Sequence, residues 1–255
     1  MELTAECLVY LYGHLFAEQW EEKEIDVVFG RIPIDARYQV APLTGEKLSE
    51  KSLAEEMIVA LFASLYLNGH LEQTIIEERG WDFEIYEKVF WRRTKPLPRS
   101  PICDRFSQVF DRHENSILLS RKRRAREQGV CCDTLVASLR QLPIIRTDPY
   151  QWICRQVRRY LAEAGLYEAQ HQRVLGFIMI PRLQPAREKI ASYELAARRL
   201  AADLRRLAEE EPELDEVLRD NVYRTLLKMR CDDEYVRDEE GERRRIDIFG
   251  DEDSA

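Results

Sequence analysis

The sequence predicts a mainly α-helical fold that carries two β-hairpins. Two patterns lead there. Apolar residues recur at helical spacing in several separate stretches, and a helix stopped by glycine runs twice into paired β-rich segments, over 53–90 and again over 149–181. Helix, glycine, apolar residue and hairpin, used twice, is the sequence pattern of winged-helix-like units. Length and composition suit it: 255 residues, 45% hydrophobic and 34% charged, can build one large domain or two small, closely packed ones.

The elements follow in order. "LTAECLVYLYGHLF" places Leu3, Cys7, Leu8, Leu11 and Leu15 on one helical face. The stretch 25–49 is rich in Pro, Gly and β-branched residues and reads as short strands and turns. Ser49 or Ser52 can cap the next helix, whose apolar positions Leu53, Met57, Leu61 and Leu65 repeat every four residues until Asn68-Gly69 ends it. "LEQTIIEERGWDFEIYEKVFW" then gives two β-rich runs about a Glu-Arg-Gly turn.

Three prolines in "RRTKPLPRSPICD" mark a soft internal boundary near 92–104. Beyond it we expect a helix over "CDRFSQVFDRH", a basic amphipathic helix around "SRKRRAREQ", and a helix "CCDTLVASLRQL" ended by Pro143. Thr147 or Asp148 can cap the following helix, with Pro149 in its first position and Gly165 at its end. Ile153, Val157, Tyr160, Leu161 and Ala164 share one side of that helix, and Arg155, Arg158 and Arg159 the other. "LYEAQHQRVLGFIMIP" reads as the second hairpin. Residues 186–229 are helical again, interrupted at "EEEPELDE". A single helical domain over 1–230 and an acidic, flexible tail over 231–255 complete the expectation.

Composition excludes several classes of function. The longest apolar stretch, 57–67, is far short of the roughly 20 residues that span a bilayer. The N-terminus has no basic region followed by a cleavage site, so a cytoplasmic location is expected. The six cysteines form no C-x-x-C pair and read as reduced, mostly buried thiols; the four histidines lie far apart. No nucleotide loop, nucleophile elbow or zinc-protease motif occurs. We therefore expect a protein that is not an enzyme, with no cofactor and no metal. Net charge is -8, yet the arginines are clumped, which suits a specific anionic ligand better than general coating of nucleic acid.

Three stretches carry a resemblance. "LTAECLVYLYGHL", "MIVALFASLYLNGHLEQ" and "RQVRRYLAEAGLYEAQHQRVLGFIMIPRLQP" resemble, in order, the opening helix, the apolar helix leading into a strand, and the arginine helix with hairpin of the Golgi phosphoprotein 3 family. That family is a mostly helical fold of peripheral membrane proteins that read phosphoinositide head groups. The resemblance covers about residues 3–200 and implies lipid-phosphate contacts at Arg155 and Arg158, with Arg159 beside them. The family's further tryptophan and arginine fall near Ser49 and Ile58, so this chain keeps half of that pocket at most. Phe177, Ile178, Met179 and Ile180 are the apolar hairpin contact, for a membrane or for a second copy in a homo-oligomer.

The functional expectation is a non-enzymatic adaptor or scaffold, cytoplasmic and peripheral on an anionic membrane or bound to a protein partner. The alternatives are a winged-helix nucleic-acid-associated protein, with "RKRRAR" and "RQVRR" on phosphates, and a structural subunit of a larger assembly. The arginines also read as a solvated helix face, and "GFIMIP" as a buried strand.

Overall fold

A computed structural model describes residues 2–21, 24–27, 30–33, 37–79, 85–119, 129–139, 148–174 and 178–234, with 24–33, 79, 116–119, 169–182 and 231–234 as backbone alone where they are described. The fold is mainly helical with small antiparallel sheets. Its order is α1 (Ala5–Leu11) and a 3-10 turn (Gly13–Leu15), the strand pairs β1 (Glu24–Val27) with β2 (Gly30–Pro33) and β3 (Tyr38–Val40) with β4 (Lys47–Ser49), and then α2 (Glu50–Leu67). The hairpin β5 (Leu71–Arg79) and β6 (Ile85–Arg93) follows, then α3 (Pro101–Leu119), β7 (Val130–Cys131), α4 (Cys132–Ala137) and α5 (Pro149–Glu163). A second hairpin, β8 (Tyr167–Val174) and β9 (Ile178–Pro185), leads to α6 (Arg187–Ala191), α7 (Glu194–Glu210) and α8 (Pro212–Glu234).

Helix α2 is apolar on every side. Leu53, Ala54, the whole run from Met57 to Ala63, and Leu65 are buried, so the helix needs cover all round rather than along one stripe. The cover comes from α1, α5, α7, α8 and β5. Phe62 stacks on Trp91 of β6 at 5.3 Å and on Phe106 of α3 at 5.0 Å, which ties the first hairpin and the helix after it to α2. One hydrophobic cluster runs from Leu3 to Met229 and includes Ile102, Cys103 and Phe106 at the proline-rich connection.

The repeated unit closes with the same hydrogen bonds both times. After α2, the amide of His70 donates to Leu65 O and that of Gly69 to Tyr66 O; after α5, Leu166 donates to Leu161 O and Gly165 to Ala162 O. This pair of reversed bonds requires a left-handed residue, and the two glycines supply it at φ +65° and +75°. Each chain then enters a strand two residues later. At the start of the units, Ser49 Oγ accepts from the Ser52 amide, and Asp148 Oδ1 from the amides of Tyr150 and Gln151. Ser52 serves elsewhere: its hydroxyl accepts from the Glu18 amide.

Three differences from the sequence reading stand out. The first hairpin is part of a three-stranded sheet, because β7 pairs with β6 at Trp91↔Val130 and Phe90↔Cys131. Helix α4 ends at Ala137 rather than near Leu142, as the Ser138 amide and hydroxyl turn back onto carbonyls of the helix, both reaching Leu135 O. Helix α8 runs through Glu234, into the stretch read as tail. Where β7 stops, Asn221 of α8 covers the edge of β6: its Oδ1 accepts from the Val89 amide at 2.9 Å and its Nδ2 donates to Glu87 O at 3.0 Å. "SRKRRAREQ", Trp81 and residues 235–255 lie outside the described residues.

Glu6 on α1 is fully buried, and neither carboxylate oxygen has a hydrogen-bond partner of normal geometry among the described residues. Burial pushes its pKa up, with Ser100 and Thr4 beside it pulling back only in part. A raised carboxyl binds its proton more tightly folded than unfolded, so the stability it supports at low pH is lost as pH climbs through the folded value. Glu6→Gln should therefore match the parent at pH 4 and exceed it by about 1–3 kcal/mol at pH 8, read by urea melts at both pH values. Asn221→Ala leaves the buried Val89 amide without a partner and should cost about 2–3 kcal/mol in the same melts.

Candidate functional site

The arginine helix α5 is built as its sequence demands. Asp148 caps it, Pro149 opens it, and Ile153, Val157 and Leu161 are fully buried against α2 and α1. The three arginines then divide. Arg159 is exposed and pairs through Nε with Glu163 Oε1 at 3.0 Å, one turn on. Such an exposed pair is worth only a few tenths of a kcal/mol.

Arg158 is half-buried. Its guanidinium lies 5.7 Å from the centroid of the Tyr167 ring at the base of β8, and its Nε is buried without a partner among the described residues. Burial raises the phenol of Tyr10 and pushes Tyr167 up to about 12, and the nearby Arg158 charge acts against the rise in both. This guanidinium belongs to the joint between α1, α5 and the second hairpin.

Arg155 faces elsewhere. It is exposed, makes no hydrogen bond or ion pair among the described residues, and stands near Glu50, the first residue of α2. Glu50 is 4% exposed and accepts from Gln39 Nε2 at 2.6 Å. Burial pushes its carboxyl up, and Arg37 and Arg155 counter the shift, with Asp148 adding to it. Asp148 in turn receives Arg37 NH1 at 3.2 Å and Arg230 Nε at 3.6 Å through the same oxygen. Three arginines, from the strand entry, α5 and α8, thus meet two largely covered acids where the N-termini of α2 and α5 come together.

Sequence reasoning missed Arg37 and Arg230. They sit far from Arg155 along the chain and in no periodic pattern, and Asp148 as a helix cap is the one sequence signal at this junction. The two positions set by the family resemblance serve the fold: Ser49 caps α2, and Ile58 is fully buried.

In the second hairpin, β8 and β9 pair in register from Tyr167↔Pro185 to Val174↔Ile178 and join no further strand among the described residues. Ile178, Met179 and Ile180 belong to β9 opposite Val174, Arg173 and Gln172 as backbone, and Phe177 lies outside the described residues. Among the described residues, no three His, Cys, Asp or Glu side chains are grouped to hold a metal ion, and no helix is long and apolar enough to cross a membrane. Cys7, Cys103, Cys132 and Cys154 are buried free thiols, and Cys131 is half-buried and free.

The division between the arginines has a measurable consequence. Arg158→Ala removes the side chain packed on Tyr167 and should cost about 1 kcal/mol in a urea melt, whereas Arg155→Ala should stay within about 0.5 kcal/mol of the parent. Comparison with protein-family models, curated proteins and solved structures finds no match to this chain.

Proposed function

We propose that the protein is a non-enzymatic adaptor or scaffold that meets an anionic membrane surface through the arginine junction of α5, as the resemblance to the Golgi phosphoprotein 3 family implies. The supporting observation is Arg155: an exposed guanidinium, unpaired among the described residues, near the largely buried Glu50 carboxyl, which already accepts from Gln39. The charge distribution favours the same reading. Residues 231–255 hold 11 acidic and 4 basic side chains, so seven of the eight net negative charges fall there and residues 1–230 are close to neutral. A near-neutral body with a local cationic cluster approaches an anionic surface without the repulsion that a uniform charge of -8 would bring.

A phosphoinositide head group is the finer form of the proposal, with Arg155 as the phosphate contact and Arg158 as a positioning residue behind it. The second hairpin, with Phe177, Ile178, Met179 and Ile180, is then the apolar contact. Flotation of the full chain on phosphatidylcholine vesicles, with and without phosphatidylserine, tests the anionic-surface reading. Vesicles carrying a phosphoinositide at matched charge test the finer one. One cation near such a surface contributes about 1 kcal/mol, so Arg155→Ala should weaken partition about fivefold, with steep loss of parent binding as salt rises. A parent chain that does not float on anionic vesicles at low salt overturns the proposal in favour of a structural subunit.

A further inference from the structure

We infer that Glu55 is a proton-operated switch in the joint between α2, α5 and α8: protonated, it keeps the first turn of α5 packed against α2, and ionised, it opens that turn. The inference goes beyond the anionic-surface reading and holds whether or not the chain meets a membrane.

Glu50, Glu55 and Glu56 lie in the first two turns of α2, and two of them are held by hydrogen bonds. Glu50 accepts from Gln39, and Glu56 receives Arg219 of α8, which Asp215 also engages. Glu55 stands apart. Its Oε1 is buried without a hydrogen-bond partner of normal geometry among the described residues. Lys51, one turn earlier, sets its Nζ 4.6 Å from the centroid of the Tyr223 ring of α8. Beside Glu55 on α5 is Tyr150, the second residue of that helix, which is 2% exposed and whose hydroxyl is also buried without a partner among the described residues. The Tyr150 amide donates to the Asp148 cap. Two buried, unpaired polar atoms from neighbouring helices thus meet where α5 starts.

The surrounding groups select the form of Glu55 that the closed joint accepts. Glu56 on α2 and Glu18, whose amide donates to the Ser52 hydroxyl, are like charges, and Lys51 is the opposing one. From α8, Arg219 is taken by Glu56 and Asp215, Tyr223 lies near Tyr150, and Arg230 joins Arg37 on Asp148. Burial, with Glu56 and Glu18 adding to it, pushes the Glu55 carboxyl up to about 7, and Lys51 and the Tyr150 hydroxyl pull it back only in part. A carboxyl raised in this way binds its proton more tightly in the packed joint than in an opened one. The support it gives is present at low pH and is lost as pH climbs through the folded value. Protonated, Glu55 gains an O–H that can share a neutral hydrogen bond with the Tyr150 hydroxyl. Ionised, it is a buried charge that needs water, which it reaches when the starts of α2 and α5 part.

Burial also raises the carboxyls of Glu6, Glu50 and Glu56, so the test compares variants and reads α5 locally. Amide hydrogen exchange of the full chain is followed at pH 6 and pH 8, with the intrinsic dependence of the rate on pH divided out. Protection over 150–157 should fall about tenfold in the parent between the two pH values. Glu55→Gln keeps the shape of the protonated side chain and should hold its protection at both. A parent whose protection does not change, or a variant that changes as the parent does, overturns the inference. The carbon-13 signal of the Glu55 carboxyl in the parent gives a second readout that needs no variant. A titration midpoint close to 7 supports the switch, and one in the ordinary carboxylate range overturns it. Vesicles enter neither measurement, so failure of the anionic-surface reading and failure of the switch are told apart.

Discussion

A helix with no polar face imposes the rest of this structure. Between Met57 and Ala63, α2 offers only apolar side chains, all buried, and leaving a Leu or Phe of that run in water would cost about 1.5–3 kcal/mol each. No single partner can cover a cylinder, so α1, α5, α7, α8 and the first hairpin each take one sector. Chain segments far apart in sequence are thereby brought to one axis. The first turns of α2 are drawn inward as well, and they carry Glu50, Glu55 and Glu56. Burial raises all three carboxyls, Glu55 to about 7. Each meets a cation: Arg219 reaches Glu56 at 2.5 Å while also holding Asp215, Lys51 lies near Glu55, and Arg37 and Arg155 lie near Glu50. The arginine junction is, at this level, a consequence of burying α2.

That origin explains which parts could be read from the sequence. The twice-repeated unit was legible because its punctuation is chemical: a left-handed residue closes the reversed bonds at Gly69 and Gly165, and Pro149 suits the first turn of its helix. The buried positions of α2 and α5 were legible through their period. Asn221 and β7 on the edge of β6 were not, since nothing in either segment names the strand it will meet. Arg158 shows the limit of a helical wheel. Its position opposite Val157 gives a polar face, but the chain reverses at Gly165 and lays Tyr167 over that face, and this covering lies beyond the helix itself.

The two arginines that the family resemblance pairs therefore stand in different physical situations. Arg158 has given up part of its hydration and stacks on a ring; its first contribution is to the joint it fills, and a ligand would find only what remains accessible. Arg155 keeps its hydration and its freedom, and a ligand that paired with it would have to freeze the rotamers it now samples. Usefulness for binding and usefulness for the fold pull apart here, so a variant that removes both side chains mixes two effects that single variants separate.

Affinity at this junction follows from the same neutralisation. Glu50 and Asp148 already compensate part of the positive charge, and exposed cations contribute about 1 kcal/mol each before screening over about 8 Å at physiological ionic strength. Under the proposed reading, charge alone would give weak and readily reversible attachment. On the same reading an apolar contact would add to the charges, which would hold the chain at the surface and raise the concentration at which it samples the interface.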